Sequence, residues 1–267
     1  MKDIKLQIIR AKKRLLEMHY KANAGHIGGN LSCMDATMLL FHKVMKQDDR
    51  FVLSKGHAVG TLYITLWSMG KLTETDLKSF SCDDTSLPGH PTTGLPSVLF
   101  PTGSLGHGPS LAAGLALSAL KQQKSHQVFC LCSDGEWQEG SCWEALIFAT
   151  HQKLNNLTIL IDQNRLQGFG ETKDIISCEN LNARLKAFCP GVLECDGHNA
   201  KEILEKLQSP RTEYPKIILL NTIKGKGTCY EGQMESHYLP LSHENYTKAM
   251  EQLNKEEHEE NICNKRN

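Results

Sequence analysis

Two polar segments follow apolar runs that have the composition of buried strands. Asp134 comes after the run at residues 127–132, and Asn164 comes after the run at 157–162. Parallel strands joined by a helix end at the same sheet edge, so this carboxylate and this amide oxygen are expected to meet there. Such oxygens suit Mg²⁺, or Ca²⁺ or Mn²⁺, which completes its shell with phosphate and water, and Gly135 would let a phosphate approach the backbone. An Asp-Gly pair alone is more often a plain turn. The asparagine 30 residues later favours a metal and phosphate site.

A second group of reactive residues consists of histidines that follow glycines. Twelve histidines and 21 glycines in 267 residues would give about one Gly-His pair by chance, yet there are five. Glycine permits tight turns that present the next side chain, and imidazole donates and accepts protons near neutral pH. Any one of them alone would more often be structural, but their recurrence favours a shared polar pocket. The histidines are His26, His57, His90, His107 and His198.

The elements that must position these residues alternate between helices and short apolar strands. The pattern predicts an α/β fold, with a parallel twisted sheet and helices on both faces. A proline-rich stretch, 81–110, reads as a long ordered loop, and such loops often build sites. The predicted strands are 51–54, 127–132, 157–162 and 216–221, and the predicted helices are 1–22, 32–45, 58–69, one capped by Thr73, 110–120 and 140–151. We expect one domain over 1–249 and a charged helical tail over 250–267 that frays.

Composition excludes several classes of protein. Lys+Arg and Asp+Glu are both 30, and no basic run is present, which argues against nucleic-acid binding. The 40% apolar content argues against disorder. The sequence contains no run of 18 apolar residues, the length needed to cross a membrane, and the N-terminal segment lacks the apolar core of a signal peptide. A cytoplasmic protein is therefore expected. The ten cysteines form no CxxC pair, and we expect reduced, mostly buried thiols.

Three common ligand motifs are missing from the sequence. There is no HExxH, CxxC or HxH spacing for zinc, and no GxGxxG for a dinucleotide. The segment 223–228 resembles a phosphate-binding loop but lacks its four-residue gap.

Taken together, the motifs resemble the N-terminal, diphosphate-binding half of transketolase. The resemblance covers about residues 10 to 240, and the chain is most similar to the small alpha subunit of two-chain bacterial transketolases. The matching segments are AGHIGGNLS (24–32), LSKGHAVGTLY (53–63), LPGHP (87–91), PTGSLGHGPSLAAGLAL (101–117), SDGEWQEGSCWEAL (133–146), NNLTILIDQNRLQ (155–167) and TIKGKG (222–227), followed by Glu235-Ser-His237.

This resemblance implies a role for each matching residue. It implies thiamine diphosphate held through Mg²⁺ (or Ca²⁺ or Mn²⁺) by Asp134, Asn164 and the carbonyl of Leu166. Catalytic proton transfer at the sugar would fall to His26, His90 and His237. Two positions depart from the family pattern, Ser133 in place of a glycine and His107 in place of a frequent glutamine. Glu139 resembles an acidic residue at a dimer interface. The implied cofactor contacts are His57, Gly103, Ser104, Leu105, Ser133, Asp134, Gly135, Glu136, Asn164 and His237.

The implied activity is transfer of a two-carbon ketol unit from a ketose or ketose phosphate to an aldose or aldose phosphate. The glutamate that activates the cofactor's pyrimidine belongs to the other half of full-length transketolases. We therefore expect a separate pyrimidine-binding subunit to complete the active site, in an assembly of two copies of each chain (alpha2beta2).

Two alternatives remain open at this point. One is a related thiamine diphosphate enzyme subunit, such as a 2-oxoacid dehydrogenase alpha chain or a dihydroxyacetone or deoxyxylulose phosphate synthase. The other is a non-catalytic scaffold of the same fold, for which the departure at Ser133 is the sole support.

Overall fold

The computed structural model describes residues 2–95, 97–177 and 180–266. Its strands are β1 (Arg50–Leu53), β2 (Val128–Ser133), β3 (Leu157–Gln163), β4 (Leu166–Gln167), β5 (Gly170–Glu171), β6 (Val192–Asp196) and β7 (Lys216–Asn221). Five of them form a parallel sheet in the order β1-β2-β3-β7-β6, and β4 and β5 form a separate antiparallel hairpin.

The helices are α1 (Lys2–Lys21), α2 (Ile27–Leu39), α3 (Val59–Ser68), α4 (Glu74–Lys78), α5 (Gly108–Lys121), α6 (Gly140–His151), α7 (Thr172–Ile175), α8 (Leu181–Phe188), α9 (Ala200–Gln208), α10 (Glu235–Tyr238) and α11 (His243–Arg266). A π-helical turn, Leu40–Val44, continues α2, and short 3-10 turns, Gly56–Ala58 and Gly135–Gln138, follow β1 and β2. Among the described helices, none has both the length and the apolar character to span a membrane.

The sheet is buried on both faces, which confirms the predicted architecture. Successive side chains of a strand point to opposite faces, so Phe129 and Leu131 join one core while Cys130 and Cys132 join the other. Helices α1, α2, α3, α9 and α11 cover the first face, and α5, α6 and α8 cover the second. Burial on both sides explains why these strands are continuous apolar runs in the sequence.

The predicted strands and several helices agree with the structure to within one or two residues, but β6 was missed. Its sequence is VLECD, and Glu194 and Asp196 are exposed because β6 is an edge strand. An edge strand need not be apolar throughout, so the criterion of a continuous apolar run did not detect it.

At α4 the expected cap is confirmed, since the Thr73 hydroxyl accepts the Asp76 N–H at 3.1 Å and the Asp76 carboxylate accepts the Thr73 N–H at 2.7 Å.

The C-terminal helix differs from the expectation of a fraying tail. Helix α11 continues without a break to Arg266, so residue 249 lies inside it. Leu253 is 2% exposed and packs in the core, and the Glu257 carboxylate accepts from Arg10 Nε at 2.8 Å and Lys13 Nζ at 2.7 Å. The charged composition therefore belongs to the outer face of a helix whose inner face packs on α1.

The described part of the 81–110 segment contains no regular helix or strand before α5 begins, as predicted. Of the nine described cysteines six are buried and three are exposed, and Cys178 lies outside the described residues.

Candidate functional site

A cavity of about 370 Å³ lies at the carboxyl ends of β2 and β3, and we refer to it as the strand-end cavity. It is bordered by the segments after both strands, by four loop histidines and by the turn at Gly103 and Leu105. The structure brings every site residue implied by the family resemblance to this cavity except Ser104 and Glu136. Of the five histidines that follow glycines, His26, His57 and His90 line it, whereas His107 and His198 do not.

Asp134 reaches the cavity because β2 and β3 are aligned in register. Ser133 pairs with Asp162 across the two strands, and the Asp134 N–H donates to the Asp162 carbonyl at 3.1 Å. The two Asp134 carboxylate oxygens accept the backbone N–H groups of Gly135 at 2.9 Å and Arg165 at 2.6 Å. Burial and the neighbouring Asp162 charge raise the pKa of Asp134 to about 7. A buried carboxylate in this situation would be stabilised by a nearby cation.

Asn164 and Leu166 supply the other two oxygens of the expected metal site. Asn164 Nδ2 donates to Asp162 Oδ2 at 3.1 Å, so the amide oxygen faces away from Asp162 and accepts the Leu166 N–H at 3.1 Å. Within the described ranges, no three His, Cys, Asp or Glu side chains are arranged as a metal cluster. One carboxylate, one amide oxygen and one carbonyl fit a hard cation that shares its shell with phosphate and water.

Behind these ligands lies a buried ion pair that sequence reasoning missed. Lys55 and Asp162 have no exposed side-chain surface, and Lys55 Nζ donates to Asp162 and to the Gly29 carbonyl, the latter at 3.0 Å. Asp162 also accepts from Ser32 Oγ at 2.6 Å and from the Thr222 hydroxyl. Although burial opposes both charges, Lys55 holds the pKa of Asp162 below its usual value and Asp162 holds that of Lys55 above its own. The signal in the sequence that could have indicated this ion pair was Asp162, a charged residue at the end of the apolar β3 run.

Four histidines from four separate segments form one cluster. The His26 ring centroid lies 5.0 Å from that of His237, 5.6 Å from that of His57 and 6.2 Å from that of His90. Burial lowers the pKa of each ring, that of His237 to about 3. The rings are therefore neutral near pH 7, and each presents one nitrogen that donates and one that accepts.

Close approach to this cluster explains two of its glycines. A Cβ at Gly29 would lie 3.3 Å from the His57 ring, and a Cβ at Gly103 would lie 3.0 Å from the His90 ring. Gly103 also has a φ of +150°, which disfavours other residues. A side chain at either position would push against the imidazoles.

Glu136 turns away from the cavity and holds the neighbouring loop. One of its carboxylate oxygens accepts from the Ser54 hydroxyl and from the Gly106 N–H at 2.9 Å, and the other accepts the Ser133 N–H at 3.1 Å. The side chain is fully buried. Glu136 therefore supports the 103–106 turn, whereas the family resemblance implied that it contacts the cofactor directly.

The outcomes for the remaining expected residues are mixed. Ser104 is exposed and does not line the cavity, although Gly103 and Leu105 on either side do. His107 is exposed at the start of α5 and lies outside the cavity lining. Ser133 and Glu139 both line the cavity.

Lys224 is a cavity residue to which sequence reasoning assigned no role. Its ammonium donates to the Leu166 carbonyl at 2.9 Å and contacts His237 Nδ1 at 2.7 Å, and the side chain is almost fully buried. No carboxylate among the described residues lies within ion-pair distance of it. Burial and repulsion by Lys55 lower its pKa to about 8. A buried ammonium without a counter-ion favours binding of an anionic ligand in this cavity.

The hairpin of β4 and β5 and the α10 segment complete the cavity wall, and the sequence analysis missed this wall as well. Gln167, Gly168 and Phe169 of the hairpin line the cavity, and the Tyr238 hydroxyl donates to the Gly168 carbonyl. Phe169 is 85% exposed and Tyr238 is 55% exposed. Large apolar groups therefore surround an open mouth.

Comparisons with known proteins agree with this geometry. The family model described as "Transketolase, thiamine diphosphate binding domain" matches residues 5–264. The chain is 36% identical over 262 residues to one of the subunits of the apulose-4-phosphate transketolase of Phocaeicola vulgatus, covering 94% of this chain and 93% of the relative. It is also 36% identical over 270 residues to "6-deoxy-6-sulfo-D-fructose transketolase subunit SqwG" of a Clostridium species, covering 95% and 97% of the two chains.

Solved structures show the same similarity over a part of longer chains. The transketolase of Campylobacter jejuni superposes with a TM-score of 0.85 at 33% identity, covering 94% of this chain and 43% of the other. That of Leishmania mexicana superposes with a TM-score of 0.86 at 28% identity, and this chain spans 41% of its length.

Proposed function

Because this chain belongs to the family of transketolase thiamine diphosphate-binding domains, we propose that it is the diphosphate-binding subunit of a two-chain transketolase. In this proposal the enzyme transfers a two-carbon ketol unit from a ketose or its phosphate to an aldose or its phosphate. The observation that carries the proposal is the meeting, at one cavity, of four neutral histidines with Asp134, Asn164 and Leu166.

The metal and the diphosphate would be held by residues on the sheet side of the cavity. Asp134, Asn164 and the Leu166 carbonyl would bind the metal, as their oxygen chemistry suits Mg²⁺. Lys224 would offset the diphosphate charge, since it is buried and none of the described carboxylates pairs with it. His237 Nδ1 accepts from Lys224, so Nε2 carries the ring proton and would donate to a phosphate or to the sugar. His57 would add a further donor.

Proton transfer at the sugar would fall to His26, His90 and His237. When bound, thiamine diphosphate supplies the carbon nucleophile that carries the two-carbon unit. The neutral imidazoles of His26 and His90 would accept a hydroxyl proton of the donor sugar as its carbon–carbon bond breaks, and return a proton as the acceptor sugar is extended, while His237 would donate from Nε2. Their lowered pKa values keep His26 and His90 neutral near pH 7 and therefore able to act first as bases.

A partner subunit would close the mouth of the strand-end cavity. Leu105, Phe169, Tyr238 and Leu239 are exposed large apolar side chains near this mouth or beside its lining, and an apolar patch of this kind indicates an interaction surface. The relatives that match over their full length are named as subunits. We propose a pyrimidine-binding chain as the partner, in an assembly of two copies of each.

Reconstitution tests the proposal directly. The purified chain is assayed for ketol transfer with thiamine diphosphate and Mg²⁺, first alone and then with the chain encoded beside its gene. We expect negligible transfer by the chain alone and restored transfer with the partner. Full activity of the isolated chain would refute the two-subunit proposal. A lack of Mg²⁺-dependent cofactor binding by the complex, measured by calorimetry, would refute the cofactor role.

A further inference from the structure

His26 lies between two cavities and has an unusual backbone. One side of the residue borders the strand-end cavity, and the other borders a second cavity of about 250 Å³ whose lining includes His19, Phe80 and Gly89. The His26 backbone is left-handed, with φ 63° and ψ 15°, a strained conformation for a residue other than glycine. Although cavities lie on two sides, the ring also packs against the imidazoles of His57, His90 and His237.

Hydrogen bonds to the flanking peptide groups hold the left-handed backbone of His26. The His26 N–H donates to the His237 carbonyl at 3.0 Å, and the His26 carbonyl accepts from Asn30 Nδ2 at 2.9 Å. The carbonyl of the preceding residue, Gly25, contacts His19 Nδ1 at 3.0 Å. All three interactions fix the peptide groups on either side of the His26 Cα.

His19 is built into the turn that leads to His26. It lies in the last turn of α1 and is 2% exposed, and its own carbonyl accepts the Ala24 N–H at 3.0 Å. Because the Gly25 carbonyl can only accept, His19 Nδ1 must carry the proton of this bond. Burial lowers the pKa of His19 to about 4, so the ring stays neutral with that tautomer. His19 does not line the strand-end cavity and so has no direct contact with a ligand there.

We propose that His19 is a positioning residue for His26. Its Nδ1–H bond to the Gly25 carbonyl maintains the left-handed backbone that directs the His26 imidazole into the strand-end cavity. This inference rests on the proposed function, in which His26 exchanges a proton with the sugar. No part of the sequence pattern assigned His19 a role, because it is not one of the Gly-His pairs.

Two amide substitutions separate positioning from simple packing. In His19→Asn the amide nitrogen replaces Nδ1, so the bond to the Gly25 carbonyl is retained. In His19→Gln the amide lies near the former Nε2 and that bond is lost. In the complex with the partner chain, we expect His19→Asn to keep the wild-type kcat and His19→Gln to lose about 10- to 100-fold, the scale expected when a reacting group is misplaced. The Kd for thiamine diphosphate should stay unchanged in both, since its proposed ligands are untouched.

Hydrogen exchange gives a second measurement that does not depend on activity. The His26 amide, bonded to the His237 carbonyl, should exchange faster in His19→Gln than in wild type and in His19→Asn. The matched controls are His42→Asn and His42→Gln, since His42 is a half-buried histidine that is also held by a side-chain hydrogen bond, to Ser68 Oγ at 2.8 Å, and lines neither cavity. Neither control should change kcat or the exchange of the His26 amide.

The outcomes are distinct. Equal kcat and equal exchange for the Asn and Gln variants of His19, whether both normal or both impaired, would overturn the inference. A loss of cofactor affinity that parallels the loss of kcat would also overturn it, because that pattern indicates general damage to the fold. If the wild-type complex itself shows no ketol transfer, the proposed function fails, and the exchange data still decide whether His19 positions His26.

Discussion

Replacing Asp162 by Asn should strongly destabilise the protein, although the two side chains have nearly the same shape. Every group around the Asp162 carboxylate donates to it: the Lys55 ammonium, the Ser32 and Thr222 hydroxyls and the Asn164 amide. The substitution removes the charge that compensates Lys55, which has no exposed surface, and turns an NH₂ group toward other donors. Breaking one side of such a buried pair costs about 3–5 kcal/mol.

That cost is a large share of a typical unfolding free energy of about 5–15 kcal/mol. Urea unfolding followed by tryptophan fluorescence measures this loss of stability, since Trp137 is buried beside β2. The double variant Lys55→Met with Asp162→Asn should be more stable than Asp162→Asn alone, because it leaves no unpaired buried charge. The control is Glu213→Gln, which breaks the exposed pair with Lys153 and should leave the urea midpoint unchanged.

The stability that Asp162 contributes depends on pH in a defined direction. The pKa of Asp162 in the folded state lies below its unfolded value of about 3.9. Its stabilisation is therefore present above that unfolded value and is lost as the pH falls through the lower folded pKa. An Asp162→Asn variant as stable as Glu213→Gln, or a double variant no more stable than Asp162→Asn, would refute the reasoning.

Further predictions concern the site and the C-terminal helix. Asp134→Ala should abolish Mg²⁺-dependent binding of thiamine diphosphate in calorimetry, whereas His26→Ala should bind it and transfer ketol units slowly; equal loss of affinity in both would contradict these roles. Lys224→Met should weaken cofactor binding by about 10- to 100-fold, the range for a hydrogen bond to a charged group, and an unchanged Kd would exclude a contact with the diphosphate. Leu253→Ala should lower the free energy of unfolding in urea by about 2–5 kcal/mol, and no change would mean that the inner face of α11 adds nothing to the domain.

Elements that are buried on both faces were the most predictable part of the fold. Strands β2, β3 and β7 are continuous apolar runs, and α6 was predicted over residues 140–151, where it lies. The hairpin of β4 and β5 was not predicted, because two-residue strands carry too little sequence for any period to show. The persistence of α11 was also missed, since its stability comes from packing on α1 rather than from its own polar composition.

Residue type and chain order were enough to identify the family and the main site residues. Asp134 and Asn164 follow strands that the β-α-β pattern makes neighbours, and the glycines before His26, His57 and His90 indicate turns. The direction of each side chain could not be predicted, because it depends on which groups surround that side chain after folding. Glu136 and Asp134 are two residues apart, yet one holds a loop and the other faces the cavity.

The sequence by itself determined the α/β architecture, which follows from local composition and spacing, and the family, which follows from the resemblance of its motifs. That resemblance also implied the histidines and the oxygens of the proposed site. Only the tertiary structure decided that Lys55 pairs with Asp162, that the Lys224 ammonium donates to the Leu166 carbonyl, and that His19 bonds to the turn before His26. Each of these is a contact between polar groups that burial brings together. The cost of burying an unpaired charge or donor, rather than any local pattern, selects the partner.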